Sequence, residues 1–235
     1  MSTTTPELHG HGGGHDPHGS AGHHPSQQHH FTTMEQQFDT AKIGMWLFLA
    51  TEILLFGGLF VGFGMMQNRY PREFVEAHEH LQRGYGAFNT IVLLVSSWTM
   101  VMAVNAASTN QKKKLVIFLW LTILCACLFL GVKYFEYSHK YHDGLLPGRF
   151  YTHQALDAVK GSYGQATFFA FYFMMTGLHG IHILVGIFLL YWLVRRSGRG
   201  DFSSSYYTPV DLVGLYWHIV DMIWIYLFPL YYLIT

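Results

Sequence analysis

The chain has 235 residues, of which 51% are hydrophobic, 17% aromatic and only 12% charged, about half the charged fraction of an ordinary soluble domain. Lipid is the solvent that such a composition fits. Fourteen basic and fourteen acidic residues cancel, so no global field recruits nucleic acid or an acidic partner, and nucleic-acid binding is set aside.

Residues 1–41 read as a disordered, His/Gly-rich tail. Its first 30 residues carry eight of the 16 histidines among Gly, Ser, Thr, Pro and Gln, with no apolar periodicity to bury a core. The irregular spacing of those histidines fixes no metal geometry. No apolar core of signal-peptide length precedes residue 43, so insertion is expected to be directed by the first span, without cleavage.

A membrane domain is expected over 42–235. Five apolar stretches reach or exceed the roughly 20 residues that cross the hydrocarbon core: 43–66, 85–107, 115–135, 165–194 and 212–234. Runs such as LVIFLWLTILCACLFLG lack the alternation of barrel strands, so the fold class is all-α, a five-helix transmembrane bundle. Cys125 and Cys127 lie inside the third stretch, diverge at i,i+2 and read as packing residues. Lys42, Lys112, Lys113, Lys114, Arg195, Arg196 and Arg199 all abut the membrane on the amino-terminal side. The positive-inside rule therefore predicts a cytoplasmic amino terminus and an external carboxyl terminus.

Ionisable groups inside a bilayer are costly and mark function or buried pairing. Here they are Glu52, His179, His182, His218 and Asp221. Glu52 costs the first span about 3 kcal/mol, which its Leu, Ile, Phe and Val residues outweigh by contributing roughly 4 to 7 kcal/mol; the acid still needs a partner. Glu52 and Asp221 each lie nine residues into their spans, about 13 Å deep, and His179 is central in the fourth, so all five groups can share one buried polar layer. His179 with His182, and His218 with Asp221, are i,i+3 pairs expected on one helix face each. Gly58 and Gly62 form a GxxxG in the first span, and Gly177, Gly180 and Gly186 line the fourth, which suggests close packing. Glu136 and His139 make an ExxH, half of a di-iron carboxylate motif whose second half is missing. No catalytic residue and no metal ligand is assigned, although a membrane histidine could in principle ligate haem.

Three segments then resemble subunit III of the haem-copper respiratory oxidases. WLFLATEILLFGGLF, Trp46 to Phe60, looks like the family helix that carries a buried glutamate, matched by Glu52. TFFAFYFMMTGLHGIHILVG resembles the segment ending in GxHGxH, with His179 and His182. YWHIVDMIWIYLFPLYYL resembles the terminal YWHxxDxxW helix, with Trp217, His218, Asp221 and Trp224, while Glu136 and Tyr137 fit the EY of the third shared helix. The likeness covers residues 41–234. Seven-span members have two further leading helices, so this chain is similar to the five-span bacterial forms, which implies a bacterial plasma membrane.

The resemblance implies a multi-pass subunit of a cytochrome c oxidase-type translocase, active in aerobic electron transport, oxygen reduction to water and proton pumping. Such a subunit carries no redox centre or cofactor of its own. Haem and copper belong to partner subunits, and this subunit supports subunit I by helix packing, phospholipid binding and maintenance of proton uptake. Subunit I is the direct partner, with subunit II and further subunits or a respiratory supercomplex beyond it. By the same resemblance Trp217 and Trp224 anchor the last helix, and Lys133 and Arg149 are candidates for lipid headgroup contact. The motifs are shared by cytochrome c and quinol oxidases, so cytochrome c is the main reading of the donor and quinol the alternative, with a nitric oxide reductase accessory protein as a sibling. A different class, an independent proton-linked transporter, is suggested by the intramembrane acids and histidines but not supported by any repeat between halves.

Overall fold

A computed structural model describes residues 33–79, 81–142, 163–204 and 206–232. They form six helices: α1 Met34–Arg69, α2 Pro71–Glu79, α3 Arg83–Ser108, α4 Lys112–His142, α5 Tyr163–Arg199 and α6 Thr208–Tyr232. All but α2 are long and apolar enough to cross a membrane, and they enclose the five stretches read from the sequence, except for residues 233–234 of the last. The helices outrun those stretches because their polar ends continue past the hydrocarbon. Residues 34–41, assigned to the tail, are in fact the first turns of α1. Thr33 caps them, its hydroxyl accepting from the Gln36 amide at 3.1 Å. Residues 1–32 lie outside the described residues.

Two helix ends are set by left-handed residues. Beyond α3, Asn110 has φ 60°; its N–H reaches the Ala107 carbonyl, and the Gln111 N–H reaches Ala106 at 2.8 Å. Gly200, with φ 82°, ends α5 in the same way, the Asp201 N–H returning to Arg196. Both are the double bond pattern that satisfies the last free carbonyls of a helix. Nine-residue α2, missed in the sequence because its apolar face is short, spans only about 13 Å and packs on the bundle. Its Phe74 ring lies 5.2 Å from Phe63 and 5.4 Å from Phe168, Glu73 lies against Gly164, and Arg72 and Glu76 are exposed.

The bundle is built around α3, α4, α5 and α6, with α3 and α4 most extensively packed. Helix α1 lies mainly against α5 and α6, and just 17% of its membrane-crossing segment is buried, against 50% for α6. The glycines that carry close packing are not those of the GxxxG. A side chain at Gly58 would meet nothing within 4 Å, Gly62 touches only Phe171, and Gly177 and Gly180 stand open to a groove. Gly186 instead seats the Trp217 ring, where an added Cβ would stand 2.5 Å from Cζ3.

Because Trp217 is fully buried and tied by its indole N–H, it cannot swing away. Gly186→Ala is expected to destabilise the chain by about 1–3 kcal/mol in detergent thermal-unfolding assays. Gly58→Ala, with open space, is expected to change stability by less than about 0.5 kcal/mol or to raise it slightly.

Candidate functional site

Of the five intramembrane polar residues, Glu52, His182 and His218 make side-chain bonds to other helices, and Glu52 and His182 meet each other. Glu52 on α1 meets His182 on α5, Oε2 to Nε2 at 2.8 Å, and His182 Nδ1 lies 2.8 Å from the Leu178 carbonyl. A carbonyl can only accept, so Nδ1 carries a proton. Nε2 then either donates to an ionised Glu52 or accepts from a protonated one. Both arrangements leave the pair electrically neutral, which removes the largest cost of an acid at this depth.

Within each i,i+3 pair the two side chains turn to different neighbours. Residues three apart are rotated 60° around a helix, enough to separate them here. His182 turns to α1, whereas His179 is fully buried with its ring 5.5 Å from Phe129 and 5.4 Å from Trp224. His218 turns to α3, Nδ1 lying 2.8 Å from Ser97 Oγ, and Asp221 points inward. Among the described residues neither ring nitrogen of His179 nor either carboxyl oxygen of Asp221 has a hydrogen-bond partner.

A second polar centre was hidden in the sequence. Lys133 and Glu136 on α4 form an ion pair at 2.9 Å, completed from α5 and α6. Lys133 Nζ donates to Tyr172 and Tyr232 hydroxyls at 3.2 and 3.1 Å, and those hydroxyls donate to Glu136 Oε1 at 2.9 and 2.6 Å. The ammonium also lies 4.6 Å from the Trp224 ring centroid, a further favourable cation–π contact. Lys133 is therefore an interior residue, not a headgroup contact: the charge that resembled a snorkelling span end has a carboxylate one turn away. Arg149, the other candidate, lies outside the described residues. Tyr137 completes this end by bonding Thr176, and His139, exposed, takes no part.

Hydroxyls on α3 supply further ties, and a search of the sequence for charges passes over them. Trp217 donates to Ser96 at 2.9 Å and Trp224 to Thr90 at 3.1 Å; both tryptophans are wholly buried, so they anchor α6 to α3 in the core rather than at the interface. Thr99 and Thr122 join α3 to α4 at 2.8 Å. Among the described residues no group of three His, Cys, Asp or Glu is arranged to hold a metal ion. Chemically, the arrangement holds helices in register.

Comparison with known proteins agrees with this picture of a helical membrane bundle. The family model described as cytochrome c oxidase subunit III matches residues 25–235. Quinol oxidase subunit 3 of Bacillus spizizenii is 29% identical over 208 residues, covering 85% of this chain and 91% of that protein. Cytochrome c oxidase subunit 3 of Thermostichus vulcanus is 30% identical over 203 residues, covering 84% and 89%. Probable cytochrome c oxidase subunit 3 of Rickettsia bellii is 28% identical over 212 residues, covering 82% of this chain and 68% of that protein.

Removing one member of a buried ion pair leaves an uncompensated charge. Lys133→Met is expected to cost about 3–5 kcal/mol of stability in unfolding titrations. Adding Glu136→Leu should recover part of that loss. At the other centre, Glu52→Gln can still donate to His182 and should accumulate in membranes near the wild-type level. Glu52→Leu leaves His182 Nε2 without its partner, and quantitative immunoblotting should show clearly less protein.

Proposed function

The chain belongs to the cytochrome c oxidase subunit III family, and we propose that it works as the non-redox subunit III of a respiratory haem-copper terminal oxidase in a bacterial plasma membrane. The observation that carries this reading is the extent of the family match: residues 25–235 include all five membrane-crossing helices. The complex reduces oxygen to water and moves protons, and its haem and copper reside in partner subunits. This chain packs against subunit I, which stands next to subunit II, and stabilises the proton-uptake side.

The donor assigned is cytochrome c, in line with the Thermostichus relative. Quinol is the second reading, favoured by the Bacillus relative, because the two likenesses are nearly equal. Bound phospholipid belongs to the proposal. The groove of about 250 Å³ between α4 and α5, opened by Gly177 and Gly180 and lined by Leu130, Ile181 and Leu184, gives an acyl chain room. Lys42, Lys112–Lys114 and Arg195–Arg199 mark the cytoplasmic face by the positive-inside rule, which places the amino terminus inside and the carboxyl terminus outside.

Purification of the tagged chain in mild detergent is expected to bring down haem-bearing and copper-bearing subunits, with a reduced-minus-oxidised haem spectrum. A copper-binding motif in the accompanying subunit II would assign cytochrome c; its absence would assign quinol. A chain that purifies alone and catalyses proton-linked transport in vesicles would overturn the proposal.

A further inference from the structure

The six tryptophans of the chain fall into three groups. Trp217 and Trp224 are buried, and their indole N–H groups are satisfied by Ser96 and Thr90. Trp46, four residues past Lys42, and Trp192, with the Arg196 guanidinium 5.1 Å from its ring centroid, sit at the charged ends of their helices, where membrane tryptophans ordinarily gather. Trp98 and Trp120 fit neither group.

Both are outward-facing, with 58% and 50% of their surface exposed, and among the described residues neither indole N–H has a hydrogen-bond partner. Trp98 is ten residues from the Ser108 end of α3 and fifteen from the Arg83 end, within about 4 Å of the helix midpoint. Trp120 is six residues past Lys114 on α4, about 9 Å along the helix. Helices α3 and α4 are joined by the short turn at 109–111 and pack along their length. Counted from Asn110, the two tryptophans lie twelve and ten positions away, so their depths agree to within about 3 Å.

Acyl chains present no acceptor at such a depth; the ester carbonyls that bond tryptophans belong to the interface, outside a core about 30 Å thick. An indole left there forfeits its hydrogen bond. The same side chain is the one most enriched at the energetic centres of protein interfaces, where its ring is covered and its N–H paired. Around the two rings Ile91, Leu94, Val101, Ile117, Leu124 and Leu128 are exposed on the same two helices, and exposed Asn105 lies toward the α3–α4 turn.

We infer that the outward face of α3 and α4, centred on Trp98 and Trp120, is a protein interface that seats a transmembrane helix of a different polypeptide bearing hydrogen-bond acceptors at mid-bilayer depth. Two donors at one level on an apolar face call for an occupant that is apolar overall and carries hydroxyl or amide oxygens at that level. The inference rests on the reading of the chain as one subunit of a membrane complex.

The test uses the full chain in its native membranes, with p-benzoylphenylalanine replacing Trp98 or, as an apolar control on α5, Phe188, which is 71% exposed. After illumination and tag purification, position 98 is expected to give an adduct with one distinct polypeptide. The Trp98→Leu, Trp120→Leu double variant should retain that polypeptide about tenfold less well while the chain accumulates normally. The photoadduct keeps the test decisive if the double variant is unstable. Adducts with lipid alone, or with a second copy of this chain, would overturn the inference. Co-purifying haem with lipid-only adducts would sink this interface and leave the oxidase reading standing, whereas a protein adduct without haem would do the reverse.

Discussion

Hydrocarbon neither donates nor accepts a hydrogen bond, and that one property of the solvent organises this molecule. Every polar side chain within a span must find its partner on another part of the protein or bear the full cost of desolvation. The bonds that result run between helices. Glu52–His182 fixes α1 to α5; Ser97–His218, Ser96–Trp217 and Thr90–Trp224 fix α3 to α6; Thr99–Thr122 fixes α3 to α4; and Lys133–Glu136 draws Tyr172 of α5 and Tyr232 of α6 onto α4. Apolar packing alone is nearly indifferent between helix and lipid. Directional bonds choose the rotation of each helix, and aromatic rings then fill the space between them.

Helix α1 shows the consequence most clearly. It is the least enclosed of the membrane-crossing helices, and its polar attachments are few: the Glu52–His182 pair within the span and the Lys42–Asp211 ion pair at 3.3 Å near its amino-terminal end. A neutral, one-proton pair suits the deep position, and an ion pair suits the hydrated one. Much of the outer surface of α1 is left free for lipid or a neighbouring subunit, as befits a chain whose relatives are named as subunits of larger oxidases.

The number and order of the crossing helices were legible in the sequence because length and hydropathy determine them, and the five costly side chains stood out for the same reason. Partnership was not legible, since it depends on rotation about each axis. Equal depth suggested that Glu52, His179, His182, His218 and Asp221 share one layer; only Glu52 and His182 meet. Lys133 near a span end looked like a cation reaching for headgroups, although its i,i+3 spacing to Glu136 carried the signal of a pair. Ser96, Ser97, Thr90 and Thr122 gave no warning, because a hydroxyl in a transmembrane helix usually bonds its own backbone. Helix α2 escaped notice because nine residues offer too few apolar repeats to register as a helix.

The central claim, that a charge within a span is held by the chain itself rather than by lipid or water, is tested most directly at Lys133, whose carboxylate partner on α4 is joined by Tyr172 of α5 and Tyr232 of α6. Solid-state NMR of the chain reconstituted in lipid bilayers, labelled with 15N at lysine and 13C at glutamate, reads the dipolar contact between Lys133 Nζ and Glu136 Cδ. The account predicts a strong contact and a lysine ammonium shielded from water exchange. A Lys133 signal in free exchange with water, or coupled to lipid phosphate instead of Glu136, would contradict it.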